Sequence, residues 1–406
     1  MHSHTALLAA ENMWDVLQRR GDELEVMKLE RSADGLLLYG AKGDQSTAGR
    51  EKMTPDPALE TGRHLAVVYV DQSERIVRQQ IYSALPDVHE IFSTRSTAKG
   101  EICIAYGEQR QGEELLNPVL VRLDAKGKIA WASREIISAR HKTAGTTDSL
   151  EQVANFDTIQ VGITPDNGCL LAFVTRVVTR DGETFRLSLI HHTSDGTVQW
   201  RKSVPTALYG RMFMLHDVAA KRYVMVQTNQ SRDAAIAAML QGVPFKPHTV
   251  MTGFDNTGEV VFHTELAGDL GSVWVNGVVP GPEAGILLVG KLQAAWAGNI
   301  ATDGELLGQF SSSFKEFNAV TKTLSGNFAF AGAESLVVTD NQFRSQHNIN
   351  INDTITQQFV NQFLASRLPD DVPVEQIVAW HPREFLLLYK LGSRLVKVVV
   401  PAKTTP

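Results

Sequence analysis

The sequence predicts an all-β fold, a single β-propeller of about seven four-stranded blades. Three observations favour this fold: a strand–turn–strand unit that recurs, an apolar hairpin that alternates with it, and a spacing between hairpins typical of propeller blades. The chain has 406 residues, and 43% of them are hydrophobic, which is enough for a large buried core. Six or eight blades would also fit the spacing.

The first repeating unit is an apolar strand, a tight Asp/Gly turn and a strand that ends in Trp or Phe. Its clearest copy is VLVRLDAKGKIAW at residues 119–131, with further copies at 187–200 and 249–262. Asp suits such turns because it tolerates a left-handed backbone and bonds to its own chain, while Gly removes the clash with Cβ. The repetition of this unit is the main signal in the sequence, and it predicts a fold and not a reaction.

The alternating hairpin is a strand, a small turn and a strongly apolar strand. Seven copies have turns centred on Gly35, Gly100, Gly168, Lys221, Gly285, Gly326 and Arg383. By subtraction, successive turns lie between 41 residues (326 minus 285) and 68 residues (168 minus 100) apart. Each hairpin and the Asp/Gly unit after it supply four strands, so we expect blades stacked face to face around an axis.

We therefore predict one domain over residues 1–406. The predicted blades are 24–82, 86–138, 152–203, 210–265, 272–310, 315–348, and 375–400 together with 12–19. In this prediction the N-terminal strand at 12–19 closes the final blade, with Trp14 in the place of Trp131 and Trp200, and removes two free sheet edges. The alternative is a short amphipathic helix over residues 5–19.

Two insertions are predicted to be helical. The first, at 231–242, begins at Ser231, which can cap a helix, and ends at Gly242. The second, at 354–367, stops before Pro369. The candidate protein-binding residues belong to the first insertion and its flank: Ile236, Met239, Leu240 and Phe245. They would dock into a partner protein, or else they fold down over the blade rim.

Composition excludes several classes of function. The net charge is −6 and no basic run occurs, so no nucleic-acid partner is expected. No apolar run is long enough to span a membrane, and the N-terminus lacks the features of a signal peptide. We expect a cytoplasmic protein that is a monomer apart from its partner; a secreted or periplasmic protein stays open if the chain starts at a mature N-terminus.

The two cysteines, Cys103 and Cys169, stand at equivalent points of successive repeats, each inside an apolar run. We interpret them as reduced, buried thiols. A disulfide or a functional thiol is the alternative.

The unit at residues 119–131 resembles the blade motif of pyrroloquinoline-quinone-type propellers, and the copy ending at Trp200 resembles it less closely. The resemblance implies that Trp131, Trp200 and Trp14 lock blade to blade. Quinone enzymes of that family add a pair of adjacent cysteines, which this chain lacks, so no cofactor is implied. Residues 192–200 also look like an imperfect Asp-box of sialidase-type propellers, which is a structural turn.

No catalytic or metal-binding motif stands out. GxSxG, HExxH and phosphate-binding Gly-rich loops are missing, and His191 and His192 would point to opposite faces of a strand. We therefore expect no metal, no cofactor and no catalytic residue. The predicted function is a non-catalytic protein-interaction scaffold, such as an inhibitor, immunity or assembly factor. The alternatives are a glycoside hydrolase, lyase or quinoprotein-like enzyme with its site in the central funnel, or a carbohydrate-binding module that uses Trp274, Trp296 and Trp380.

Overall fold

The fold is a β-propeller of seven four-stranded blades, as the sequence predicts. The structure is a computed structural model. It describes residues 4–6, 11–20, 24–43, 63–85, 88–108, 117–135, 139–143, 146–154, 156–179, 182–217, 221–230, 239–240, 242, 245–359, 372–389 and 394–402. These residues form seven antiparallel sheets in succession along the chain.

Of the first three blades, blades 1 and 3 carry extra strands, and blade 2 has four strands. The N-terminal segment contains β1 (His4–Ala6), β2 (Glu11–Asn12) and α1 (Met13–Arg20). Blade 1 consists of β3 (Leu24–Arg31), β4 (Gly35–Lys42), β5 (His64–Asp71) and β6 (Arg75–Tyr82), and β1 and β2 both pair with β6. Blade 2 consists of β7 (Val88–Ser96), β8 (Ile102–Glu108), β9 (Asn117–Leu123) and β10 (Ile129–Arg134). The chain then forms β11 (Ala139–Thr143), β12 (Thr146–Val153) and a 3-10 helix (Phe156–Thr158). Blade 3 consists of β13 (Gln160–Ile163), β14 (Cys169–Thr179), β15 (Gly182–His192) and β16 (Val198–Thr206), and β12 extends it by pairing with β14.

The other four blades are more regular. Blade 4 consists of β17 (Arg211–Asp217), β18 (Arg222–Thr228), β19 (Thr249–Asp255) and β20 (Val260–Glu265). A short α2 (Gly268–Gly271) leads to blade 5, with β21 (Trp274–Pro280), β22 (Ile286–Lys291), β23 (Ala295–Ile300) and β24 (Leu306–Ser311). Blade 6 consists of β25 (Ala319–Lys322), β26 (Phe328–Ala331), β27 (Ser335–Thr339) and β28 (Ser345–Asn350), followed by a 3-10 helix (Ile351–Asp353). Blade 7 consists of β29 (Ile355–Phe359), β30 (Val374–His381), β31 (Glu384–Tyr389) and β32 (Arg394–Val399).

The predicted Asp/Gly turns join the last two strands of most blades. In blade 4, Asp255 Oδ1 accepts hydrogen bonds from the backbone amides of Thr257 (2.8 Å) and Glu259 (3.0 Å). Gly258 has φ of +79°, a conformation that Gly adopts without steric cost. The turn sequence therefore fixes the register of the hairpin on which it sits.

The final blade closes differently from the prediction. Its fourth strand is β29, which pairs with β32, whereas α1 is a helix. The prediction that an N-terminal strand closes blade 7 is therefore wrong. The prediction of a helix over 354–367 is also wrong as far as Phe359, and residues 360–367 lie outside the described residues. The alternative, a helix over residues 5–19, is right only for the part that α1 covers. In α1 the side chains of Met13, Trp14, Val16 and Leu17 are buried and share one helical face.

The blades group into two compact units, one of blades 1, 6 and 7 and one of blades 2 to 5. In each unit one edge strand of a blade contacts the corresponding strand of the neighbouring blade, as β3 does with β30, and β17 does with β13 and β21. These are the inner strands; in blade 7 the inner strand is β30, although β29 precedes it in the chain. Apolar clusters fill the spaces between neighbouring sheets, for example between blades 7 and 1 and between blades 4 and 5.

The last and first blades meet along a polar seam. The side-chain amide of Gln376 accepts from the backbone N–H of Leu29 (2.8 Å) and donates to its carbonyl (2.7 Å). Beside it, Lys28 Nζ lies 2.5 Å from Glu375 Oε1. The side chain of Gln376 thus satisfies both backbone polar groups of Leu29 and joins the inner strand of blade 7 to that of blade 1.

Tryptophans dock one blade onto the next, as the resemblance implied. Trp131 Nε1 donates to Ser194 O (3.1 Å), and a Cβ added at Gly196 would lie 2.7 Å from the Trp131 ring. Trp200 covers Gly258 of blade 4 in the same way, at 2.8 Å. Trp14 reaches the corresponding turn of blade 1 from a helix, since its Nε1 donates to a carboxylate oxygen of Glu74 (3.1 Å).

Cys103 and Cys169 form a disulfide with 6.1 Å between their Cα atoms. The prediction of reduced thiols is wrong, and the disulfide alternative is right. The two residues lie on β8 and β14, the second strands of neighbouring blades, so equivalent repeat positions bring the sulfurs together. Both residues are completely buried.

Candidate protein-binding site

The insertion between β18 and β19 is held at both ends by side-chain amides. Asn229 Nδ2 donates to Lys246 O (3.1 Å), and its Oδ1 accepts from His248 N (2.7 Å). The buried Gln230 donates to Val273 O, at the start of blade 5, over 2.6 Å. These bonds fix the base of the insertion on blades 4 and 5.

Met239 and Leu240 are helical and strongly exposed, with 70% and 79% of their surfaces accessible to solvent. Ile236 and most of the predicted helix at 231–242 lie outside the described residues. The alternative in which these apolar side chains fold down over the blade rim does not hold for Met239 and Leu240. Because they are adjacent, exposed and apolar, Met239 and Leu240 are candidates for part of a docking surface.

Phe245 is half-buried and packs against Trp274, with ring centroids 5.4 Å apart and planes inclined by 54°. Trp274, the first residue of β21, is 36% exposed. We call Met239, Leu240, Phe245 and Trp274 the insertion surface. Trp274 was not among the predicted protein-binding residues, and only its position at a strand start next to the insertion could have indicated this role.

The three tryptophans considered for carbohydrate binding do not share a groove. Trp296 and Trp380 are each 2% exposed and lie in the apolar clusters of blades 5 and 7. Of the three, Trp274 alone is exposed, at 36%. A single accessible indole does not form a stacking platform for a sugar chain.

The inner strands of blades 2 to 5 carry polar groups that contact other protein atoms. Arg95 donates to the carbonyls of Thr94 (3.0 Å) and Met214 (3.4 Å). Arg211 donates to Asn276 Oδ1 (3.0 Å) and lies 3.8 Å from a carboxylate oxygen of Asp157. Both guanidinium groups thus bridge inner-strand elements within this unit.

The neighbouring histidines have separate surroundings, as their alternation on a strand predicts. His191 Nε2 lies 3.1 Å from Asp166 Oδ1. His192 stacks on Trp131, with ring centroids 5.2 Å apart, and its Nε2 lies 3.4 Å from Glu135 Oε1. Within the described residues, no three His, Cys, Asp or Glu side chains converge as a metal-binding group.

Glu135 is a buried carboxylate at the contact between blades 2 and 3. Burial favours its neutral form and raises its pKa, but contacts with His192 and with Arg201 (2.9 Å) outweigh this and lower the pKa from 4.5 to about 2. A carboxylate held ionised in this way is a poor general acid at neutral pH. Its position between two outer strands indicates a role in joining the blades.

No protein-family model and no curated protein matches the chain. Similar solved structures include the Dos1 propeller, which is 10% identical over 93% of this chain and 95% of that one, with a TM-score of 0.46. The WD40 β-propeller domain of Doa1 is 8% identical over 99% and 97%, with a TM-score of 0.45. An α-L-arabinanase of Penicillium chrysogenum in complex with arabinobiose is 9% identical over 77% and 93%, with a TM-score of 0.44. Identities and TM-scores this low say nothing about binding or catalysis.

The quinone-type repeats are accordingly not confirmed by a family match.

In the part of the chain that is described, helices are too short and too polar to cross a bilayer.

Proposed function

We propose that this propeller is a non-catalytic scaffold that binds a partner protein through the insertion surface. The observation that carries the proposal is the exposure of Met239 and Leu240, at 70% and 79%, on an insertion whose base is fixed to blades 4 and 5. A fixed base lowers the entropy that would be lost when the surface docks. The expected partner presents an apolar groove that accepts a helical turn.

The energetic argument rests on the area that docking would remove from water. Full burial of one large aliphatic side chain contributes roughly 1.5 to 3 kcal/mol. Met239 and Leu240 together can therefore decide whether such a complex forms. Methionine also adapts its shape to irregular grooves, which suits a protein-binding surface.

The non-catalytic part of the proposal has its own support. In blades 2 to 5 the inner-strand guanidinium groups of Arg95 and Arg211 contact protein carbonyl, amide and carboxylate oxygens. Guanidinium groups engaged in this way are less available to hold the carboxylate of a substrate.

The test compares the double variant Met239→Asp/Leu240→Asp with Leu324→Asp. Leu324 is 43% exposed in a turn of blade 6, so it controls for adding an acid in place of an exposed leucine. Proteins captured from a native lysate by the wild type and by the control, and lost with the double variant, are candidate partners. Each candidate is then purified and titrated calorimetrically.

We expect at least a tenfold loss of affinity in the double variant, equivalent to about 1.4 kcal/mol, and no change in the control. Unchanged affinity of the double variant for a purified partner would remove the insertion surface from the interface. Light scattering of the isolated chain tests the expected monomer.

We further infer a compartment from the disulfide between Cys103 and Cys169. A buried disulfide is rare in cytosolic proteins of mesophiles, so it favours a secreted or periplasmic protein over the expected cytoplasmic one. Lysis of native cells directly into denaturant that contains an excess of alkylating reagent, followed by mass spectrometry, tests this, because unfolding exposes the two buried residues. Full alkylation of both cysteines would restore the cytoplasmic assignment.

A further inference from the structure

The described methionines differ widely in their contact with solvent. Met239, on the insertion surface, is 70% exposed. Five others lie in the apolar clusters between neighbouring sheets and are at most 3% exposed: Met13, Met212, Met214, Met225 and Met251. Met27 on β3 is half-buried, and Met1 and Met53 lie outside the described residues. Met239 is therefore the methionine whose side chain is most open to water in the described part of the chain.

The helical turn that carries Met239 is closed by a backbone hydrogen bond. Gly242 N donates to Met239 O (3.1 Å), and Gly242 has φ of +68°. A glycine in this left-handed conformation commonly ends a helical turn. The side chains of Asn229 and Gln230 hold the base of the insertion on blades 4 and 5. The thioether of Met239 is thus presented to solvent by a closed turn on an anchored insertion.

A thioether that contacts water can be oxidised by hydrogen peroxide. A lone pair on Sδ attacks one oxygen atom of the peroxide, the O–O bond breaks, and the other oxygen leaves as water. The sulfur loses two electrons and the peroxide gains two. The product is a polar, chiral sulfoxide that a reductase can convert back to the thioether. Leu240, which is 79% exposed beside Met239, has no atom that reacts in this way.

Oxygen on the sulfur would change how the insertion surface docks. As a thioether, Met239 is apolar and adapts its shape to an irregular groove. The sulfoxide oxygen accepts hydrogen bonds, and in an apolar groove it would lose water without gaining a donor. An oxidised Met239 therefore opposes the docking that the reduced side chain favours.

We propose that Met239 is a site of reversible oxidation to methionine sulfoxide, through which a peroxide weakens the binding of the partner protein. This inference rests on the proposed function, because it takes the insertion surface as the partner-binding surface. The two cysteines already form a disulfide and are completely buried. Met239 is accordingly the most exposed sulfur-containing residue among those described.

The first measurement uses the isolated full-length protein and needs no partner. The protein is treated with millimolar hydrogen peroxide for a series of times, then unfolded, digested and mapped by mass spectrometry. We expect Met239 to gain one oxygen atom at least about tenfold faster than the five buried methionines, because peroxide reaches it without unfolding. The same treatment in guanidinium should remove this difference, which controls for intrinsic reactivity.

The second measurement is calorimetric titration of a purified partner into the protein before and after treatment. Binding by the wild type should weaken at least about tenfold, equivalent to about 1.4 kcal/mol. It should recover after incubation with a methionine sulfoxide reductase and a dithiol, which removes the oxygen as water while the dithiol becomes a disulfide.

Met239→Leu is the matched variant, because it has no sulfur at this position. Its affinity after treatment is compared only with its own affinity before treatment, and the two should agree. The same comparison covers oxidation at Met1, Met27 or Met53. An equal loss of affinity in the wild type and in Met239→Leu would place the sensitive residue elsewhere and overturn the assignment to Met239.

The double variant Met239→Asp/Leu240→Asp separates failure of this inference from failure of the proposed function. Equal oxidation rates for Met239 and the buried methionines of the folded protein would overturn the inference. Unchanged affinity of a protein that carries the sulfoxide at Met239 would also overturn it, where the double variant has lost binding. Unchanged affinity of the double variant would instead overturn the proposed function, even where peroxide oxidises Met239 selectively.

Discussion

Replacing Cys103 and Cys169 together by alanine measures the contribution of the covalent link between blades 2 and 3. The cysteines are separated by 66 residues. For a loop of that length, the loss of entropy in the unfolded chain gives about 4 kcal/mol at room temperature. We therefore expect the double variant to unfold with about 4 kcal/mol less free energy than the oxidised wild type. Guanidinium unfolding followed by tryptophan fluorescence measures the difference.

The matched control is the wild type reduced in denaturant and refolded with reductant. If the constraint on the unfolded chain is the cause, the reduced wild type and the double variant should share one unfolding midpoint. A loss below about 1 kcal/mol in both would refute the reasoning, because the bridge would then leave the unfolded ensemble unchanged. A loss in the double variant alone would indicate a packing defect at the new alanines.

Three further predictions concern the blade contacts and the insertion. The pKa of Glu135 is lowered to about 2, so its contribution to stability is present above pH 4.5 and is lost as the pH falls towards 2. The difference in unfolding free energy between wild type and Glu135→Gln should therefore shrink over that range; a constant difference would contradict the ion pair with Arg201. Gly196→Ala should cost about 1 to 3 kcal/mol, and more than Gly182→Ala, because both glycines have positive φ but only Gly196 touches a tryptophan ring; equal losses in thermal unfolding would contradict the docking contact. Asn229→Ala should weaken partner binding in calorimetry with a smaller effect on global stability, because it releases only the base of the insertion; unchanged binding would show that the clamp is dispensable.

The repeat determines how much of the fold can be predicted from the sequence. The Asp/Gly turn recurs in several blades and the alternating hairpin occurs seven times, so blade number and strand order follow from local chemistry although the spacing varies between 41 and 68 residues. The identity of the strand that closes blade 7 does not follow from local chemistry. Residues 354–359 have a polar and apolar order that suits a helix as well as a strand, and only pairing with β32 decides between them.

The site shows the same division between local and non-local information. An exposed helical turn at Met239 and Leu240 follows from propensity and from the length of the insertion. The contact between Phe245 and Trp274 depends on how blades 4 and 5 meet, which no single stretch of sequence encodes. The cysteine pairing could have been inferred from equivalent repeat positions, but composition alone favoured free thiols.

The seam between Lys28, Leu29, Glu375 and Gln376 has a consequence for synthesis on the ribosome. Its hydrogen bonds join residues 347 positions apart. At roughly 5 to 20 residues per second, the first blade would emerge roughly 20 to 70 seconds before the strand that covers its inner edge is made. During that interval the nascent first blade exposes an unpaired sheet edge, which raises its risk of aggregation until blade 7 has been synthesised.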